Sequence, residues 1–277
     1  MRLATVNIDG LPHAVVETSR GFVDLPFSSV RDLLEAPSWR TIVERHLLDD
    51  VLVPVDSATY LPVVLAPHKV ICCGHNYRDH IIEMGRELPS FPTLFTKYAD
   101  SLAGPYAELS FNSESKEIDW EAELAVIVGA EVKNCTPEQA LSAIAGYTIS
   151  NDISMRDWQR RTLQWFQGKA FDASTPLGPV LVTPDECDPK AGLAISCQVN
   201  GETVQSGNTS TLVFDAAALI SYISRFTVLR PGDVILTGTP GGVGMARTPP
   251  RFLADGDVLV TTIGGIGELR NHISIPN

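Results

Sequence analysis

Beyond residue 66, the apolar residues of this 277-residue chain recur at every second position in short runs. No other feature constrains the fold as strongly. Leu124 to Val128, Tyr147 to Ser150, Val180 to Thr183, Leu193 to Val199, Val234 to Thr237 and Val258 to Ile263 are each of strand length, with turn residues between them. A period of two, rather than 3.6, belongs to a pleated strand. Helical signals are fewer. Thr136-Pro137 opens a capped apolar stripe that runs to Ile144, and residues 211–225 form the longest amphipathic candidate. Strands outnumber helices, with no βαβ rhythm and no repeat, which predicts a β-rich α+β fold.

The first sixty-odd residues read as a small α/β module. Arg2 to Ile8, His13 to Glu17 and Gly21 to Leu25 are short strands joined by Asp-Gly and Ser-Arg-Gly turns. Residues 28–48 look helical, interrupted at Pro37-Ser38. The prolines of 61–67 mark an extended connector, so two domains are expected, 1–66 and 67–277.

Composition narrows the function. The net charge of −12 comes from 21 basic and 33 acidic residues. With no basic block, a nucleic-acid partner is excluded as an expectation. The opening Met1-Arg-Leu-Ala-Thr carries no apolar signal core, and no run of 18 apolar residues occurs. A soluble cytoplasmic protein with no membrane partner is expected. Its five cysteines match no zinc spacing and read as buried thiols in a reducing compartment.

Three carboxylates carry the chemistry. Glu121 and Glu123 lead an apolar run, and in a strand the side chains at i and i+2 face the same way. Asp152 ends the next run, where a neighbouring strand can bring a third oxygen. Convergent carboxylates with no Cys or His nearby in sequence suit a hard divalent cation, Mg²⁺ or Mn²⁺. Taken alone, the Glu-x-Glu pair fits the solvated face of a strand better than a metal site. His80 and Glu83, three apart, share one face of a helical turn, and a carboxylate there can orient an imidazole as general base. A plain surface pair has the same spacing. Gly85 and Pro89 to Pro92 flank this turn as in a mobile lid. Arg156, Gln159 and Lys169 are donors suited to a carboxylate or enolate oxygen. Trp158, Trp165 and Phe166 read as packing. The Gly-rich loop after Leu236 contains Thr239; it fits either a cradle for a small carboxylate or an ordinary turn.

In order along the chain, Gly74-His-Asn-Tyr-Arg-Asp-His80, Glu121-Ala-Glu123, Asn151-Asp152, Gly168-Lys169 and Leu236-Thr-Gly-Thr-Pro-Gly-Gly-Val-Gly244 resemble the fumarylacetoacetate hydrolase family over residues 69 to 273. The resemblance implies a mixed β-sandwich roll, a homodimer, and Mg²⁺ or Mn²⁺ held by Glu121, Glu123 and Asp152. It implies a water-activating dyad of His80 and Glu83 on the lid, with Lys169 stabilising an enolate. Arg156, Gln159, Thr239 and Lys97 match positions around the substrate. The expected activity is metal-dependent C–C hydrolysis of an acylpyruvate or related 2,4-diketo acid, giving pyruvate and a carboxylic acid. The alternative is an oxaloacetate decarboxylase, or a hydroxydienedioate decarboxylase/isomerase of aromatic catabolism. For a second substrate carboxylate the sequence offers Arg86, Arg160, Arg161 and Tyr98 without choosing among them.

Overall fold

The computed structural model describes residues 1–48, 52–55, 58–83, 85 and 87–276, and the side chains of His80 and Glu83 lie outside the described residues. The fold is β-rich α+β, built on a twelve-stranded sheet and a five-stranded one. The central strand Ala122–Val128 is buried along its whole length, which explains its continuous apolar sequence. Its side chains still alternate. Ala122, Leu124, Val126 and Val128 join the core shared with the smaller sheet, through Ile195, Cys197, Val199, Leu259 and Leu269. Ala125 and Ile127 pack on the opposite face with Leu33, Leu34 and Val43 of the N-terminal helices.

Those helices are Val30–Glu35 and Trp39–His46, broken between them where Ser38 takes φ 59. Thr136 makes the full capping box expected at its helix, with Gln139 at the third position. The stretch at 211–225 differs from expectation: its helix spans Ala216–Ser224. Asp215 accepts a hydrogen bond from the Ala218 amide and so fixes the start, while Thr209–Thr211 form a separate 3₁₀ turn. The N-terminal strands continue the large sheet, strand Arg2–Ile8 pairing with Thr175–Val182 at Arg2↔Val182 and Leu3↔Leu181. Among the described residues no helix is long and apolar enough to cross a membrane.

Strand direction gathers one end of this sheet into a site. Strands Val70–Gly74 and Val234–Leu236 run parallel, and Ala122–Val128 is antiparallel to the second. Strand Ile144–Asn151 is antiparallel to it in turn, with Glu123 opposite Ser150. Gly74, Gly238, Glu121 and Asp152 therefore all emerge at the same edge.

Candidate active site

The Asp152 amide donates to the Glu121 carbonyl at 2.8 Å, locking the two carboxylate-bearing strand ends together. Glu121, Glu123 and Asp152 then bring one oxygen each within 4.8 Å of one another. Only 9%, 2% and 0% exposed respectively, they are not the solvated face of a strand. Buried charge of one sign has to be offset, and three buried cations do much of this. Lys169 Nζ donates to Glu121 Oε2 at 2.7 Å and to Asp152 Oδ2 at 2.8 Å. Lys97 Nζ donates to Asp152 Oδ1 at 2.6 Å. Arg156 Nη2 stands 2.6 Å from Glu121 Oε1, while its Nε donates to Asp119 Oδ2 at 2.8 Å.

Glu123 is the one of the three without a cationic partner among the described residues; it accepts from the Gly238 amide at 2.7 Å. Burial presses all three carboxyls upward. At Glu121 and Asp152, Lys169 outweighs it, helped by Arg156 at the first and Lys97 at the second, and both sit below the usual range. At Glu123 burial wins, reinforced by Asp152 and Glu121, and the carboxyl is held well above its ordinary value. An all-oxygen set of three convergent carboxylates, one of them uncompensated, fits a hard divalent cation.

Two short helices, Arg156–Gln159 and Phe166–Lys169, deliver the donors. They approach backbone to backbone, since a Cβ on Gly168 would stand 2.5 Å from both the Gln159 nitrogen and the Met155 oxygen. Arg156 Nη1 donates to Gln159 Oε1 at 2.9 Å, fixing the glutamine beside it. Burial works to depress Lys169, but Asp152 and Glu121 overcome it and raise its pKa, so the ammonium stays charged. Above the carboxylates opens a cleft of about 530 Å³, lined among others by Glu121, Glu123, Arg156, Gln159, Lys169 and Thr239. Lys97 does not line it. Its side chain is fully buried against Asp152 as a counter-charge.

His75 and Trp165 form another wall, ring centroids 5.4 Å apart and edge to face. Trp165 packs where a side chain on Gly74 would be, only 2.6 Å from a Cβ there. The expected packing tryptophan is thus also part of the cleft.

The sequence reading missed the braces. Gln205, fully buried, accepts from the Ala122 amide at 2.9 Å and donates to Thr239 Oγ1 at 2.8 Å and the Pro240 carbonyl at 2.9 Å. It ties the residue between Glu121 and Glu123 to the Gly-rich loop. Asp119 accepts from Gly244 N at 2.6 Å and Met245 N at 3.1 Å as well as from Arg156. Asn151 Oδ1 accepts from the Glu121 amide at 2.9 Å. Asp119 and Asn151 adjoin the recognised carboxylates, a signal available in sequence. Gln205 had none.

Comparison with known proteins agrees with this geometry. The fumarylacetoacetate (FAA) hydrolase C-terminal family model matches residues 69–274. The mitochondrial oxaloacetate tautomerase of Rattus norvegicus is 42% identical over 266 residues, covering 95% of this chain and 85% of its own length. A solved fumarylacetoacetate hydrolase from the psychrophile Exiguobacterium antarcticum aligns over 100% of both chains at 35% identity and TM-score 0.86. A 5-carboxymethyl-2-hydroxymuconate delta-isomerase from Mycobacterium smegmatis does so at 33% and 0.81. The chain belongs to the fumarylacetoacetate hydrolase family.

Proposed function

We propose that this protein is a divalent-metal-dependent enzyme that moves a proton between the enol and keto forms of a 2-oxo dicarboxylic acid, with oxaloacetate the best-supported substrate. The observation that carries this reading is the near full-length likeness to the rat protein named oxaloacetate tautomerase. The isomerase from Mycobacterium smegmatis supports the same class, because relocating a double bond in a hydroxydienoate is also a proton shift through a dienolate. Acylpyruvate hydrolysis, the first expectation, shares the metal and the enolate but also needs an attacking water. Oxaloacetate entered the sequence reading as a decarboxylation substrate; the tautomerase keeps the substrate and leaves its carbon skeleton whole.

Glu121, Glu123 and Asp152 would hold the Mg²⁺ or Mn²⁺, which when bound would supply Lewis-acid polarisation to a 2-oxo oxygen. The chain's own groups do the rest. Lys169, kept protonated by its two carboxylates, places fixed positive charge beside the oxygen that becomes anionic. Gln159, pinned by Arg156, and Thr239, pinned by Gln205, orient the substrate carboxylate. Ketonisation removes the enol O–H proton and adds one at C3, and no heavy-atom bond breaks. We assign that transfer to His80, oriented by Glu83, the pair that the family resemblance implies as a water-activating dyad and that this reading gives a proton-shuttling role instead. The expected homodimer belongs to this reading, and analytical ultracentrifugation tests it.

The deciding experiment follows ketonisation of enol-oxaloacetate by loss of its ultraviolet absorbance, with Mg²⁺-loaded and chelator-stripped protein and with metal alone. Acceleration by the loaded protein only is expected. No acceleration, together with release of acid and pyruvate from an acylpyruvate, would return the answer to hydrolysis.

A further inference from the structure

Among the four sequence candidates for a second substrate carboxylate, the structure separates one. Arg161 stacks its guanidinium 3.5 Å over the Trp158 ring and does not line the cleft. Tyr98 packs edge to face on Phe166, also outside it, and Arg86 lies outside the described residues. Arg160 lines the cleft. It follows Arg156 by four positions and Gln159 by one, at the end of the helix Arg156–Gln159 that delivers the donors.

Charge commitments point the same way. Of the described cations at the cleft, Lys169 and Arg156 are bound to buried carboxylates of the metal cluster and its brace. Arg160 is paired instead with Glu117, their side chains 52% and 28% exposed. An ion pair in this much water is weak and exchanges partners readily. Glu117 is itself held near the helix start, its carbonyl accepting from the Arg156 amide at 2.9 Å.

We infer that Arg160 is the specificity-determining residue for substrates with a second carboxylate, releasing Glu117 to form a charge-assisted pair with that group. The inference rests on the 2-oxo acid reading above and names the residue that makes the site prefer a diacid. Arg160 does not touch the reacting atoms; it discriminates by charge at the far end.

The test compares oxaloacetate with its 4-methyl ester, the same enol without the distal charge, in the wild type and in Arg160→Gln. The expected result is a kcat/KM loss of roughly 10- to 100-fold on oxaloacetate, with little change on the ester and partial recovery in Arg160→Lys. A second readout needs no turnover: calorimetric binding of (S)-malate and (S)-lactate to the Mg²⁺-loaded protein. Malate is preferred by the wild type, Arg160→Gln erases the preference, and Glu117→Gln tightens malate. Equal losses on diacid and ester, a malate preference that survives Arg160→Gln, or one that follows His75→Asn instead would overturn the assignment. If the wild type ketonises neither substrate, the tautomerase reading falls, and the malate-to-lactate ratio alone decides the role of Arg160.

Discussion

Replacing Gln205 by leucine keeps the volume of a buried side chain and deletes three hydrogen bonds. The Thr239 hydroxyl faces the cleft and finds water. The Ala122 amide and the Pro240 carbonyl lose partners inside the protein, at about 1–3 kcal/mol each. The expected destabilisation is therefore about 2–6 kcal/mol. At roughly 2–4 °C per kcal/mol for a chain near this size, the melting temperature falls by roughly 4–24 °C. Ala122 lies between two of the proposed ligands, so metal affinity falls too, by about 10–100-fold as for other groups that orient ligands. Thermal melts of the chelator-treated protein across a Mg²⁺ titration give both numbers. A variant that melts within about 1 °C of wild type, with the same Mg²⁺ dependence, would refute the view that this glutamine braces the site.

Glu123→Gln removes the carboxylate that has no cationic partner among the described residues, so it is expected to abolish stabilisation by Mg²⁺ or Mn²⁺ while the metal-free protein stays folded; retained metal-dependent stabilisation would remove Glu123 from the ligand set. His80→Ala is expected to lower kcat by on the order of 100-fold or more with KM changed less, checked by steady-state kinetics on enol-oxaloacetate. Gly168→Ala drives a methyl against two backbone atoms that cannot swing aside, so about 3 kcal/mol or more of stability is lost and Lys169 is displaced, which urea unfolding and activity assays both report. Gly74→Ala pushes Trp165 off the cleft wall, and its signature is a raised KM with a smaller loss of stability.

The carboxylate cluster was legible because it follows from local rules: two residues apart on a strand, and the end of the next strand in the chain. Burial was not legible from the same letters. Glu121-Ala-Glu123 spells a half-exposed strand as well as a buried site, and only Lys169, Lys97 and Arg156 arriving from other segments decide between them. Lys97 illustrates the converse. A cation two residues past Phe95 on the same strand is suited to a substrate carboxylate, yet its amine is spent on buried Asp152. Gln205 was invisible because a side-chain amide bridging two distant backbones has no sequence period. The helix expected from 211 begins at Asp215 because a side-chain cap outcompetes an amphipathic pattern for control of the first turn.

The pairing of Arg2 with Val182 also bears on how the chain is made. Strand Arg2–Ile8 pairs early with its hairpin partner Leu11–Thr18, and Val6 and Asn7 on its other edge pair with Tyr60 and Thr59, but Arg2 and Leu3 on that edge wait for Val182 and Leu181, roughly 180 residues later. At synthesis rates of about 5–20 residues per second, the Arg2–Leu3 end of that edge stays open for roughly 10–40 s in every nascent copy. Open strand edges recruit other strands. The sheet that seats the active site is thus most exposed to mispairing during translation, and slowing synthesis before residue 182 should lower the soluble yield more than slowing it afterwards.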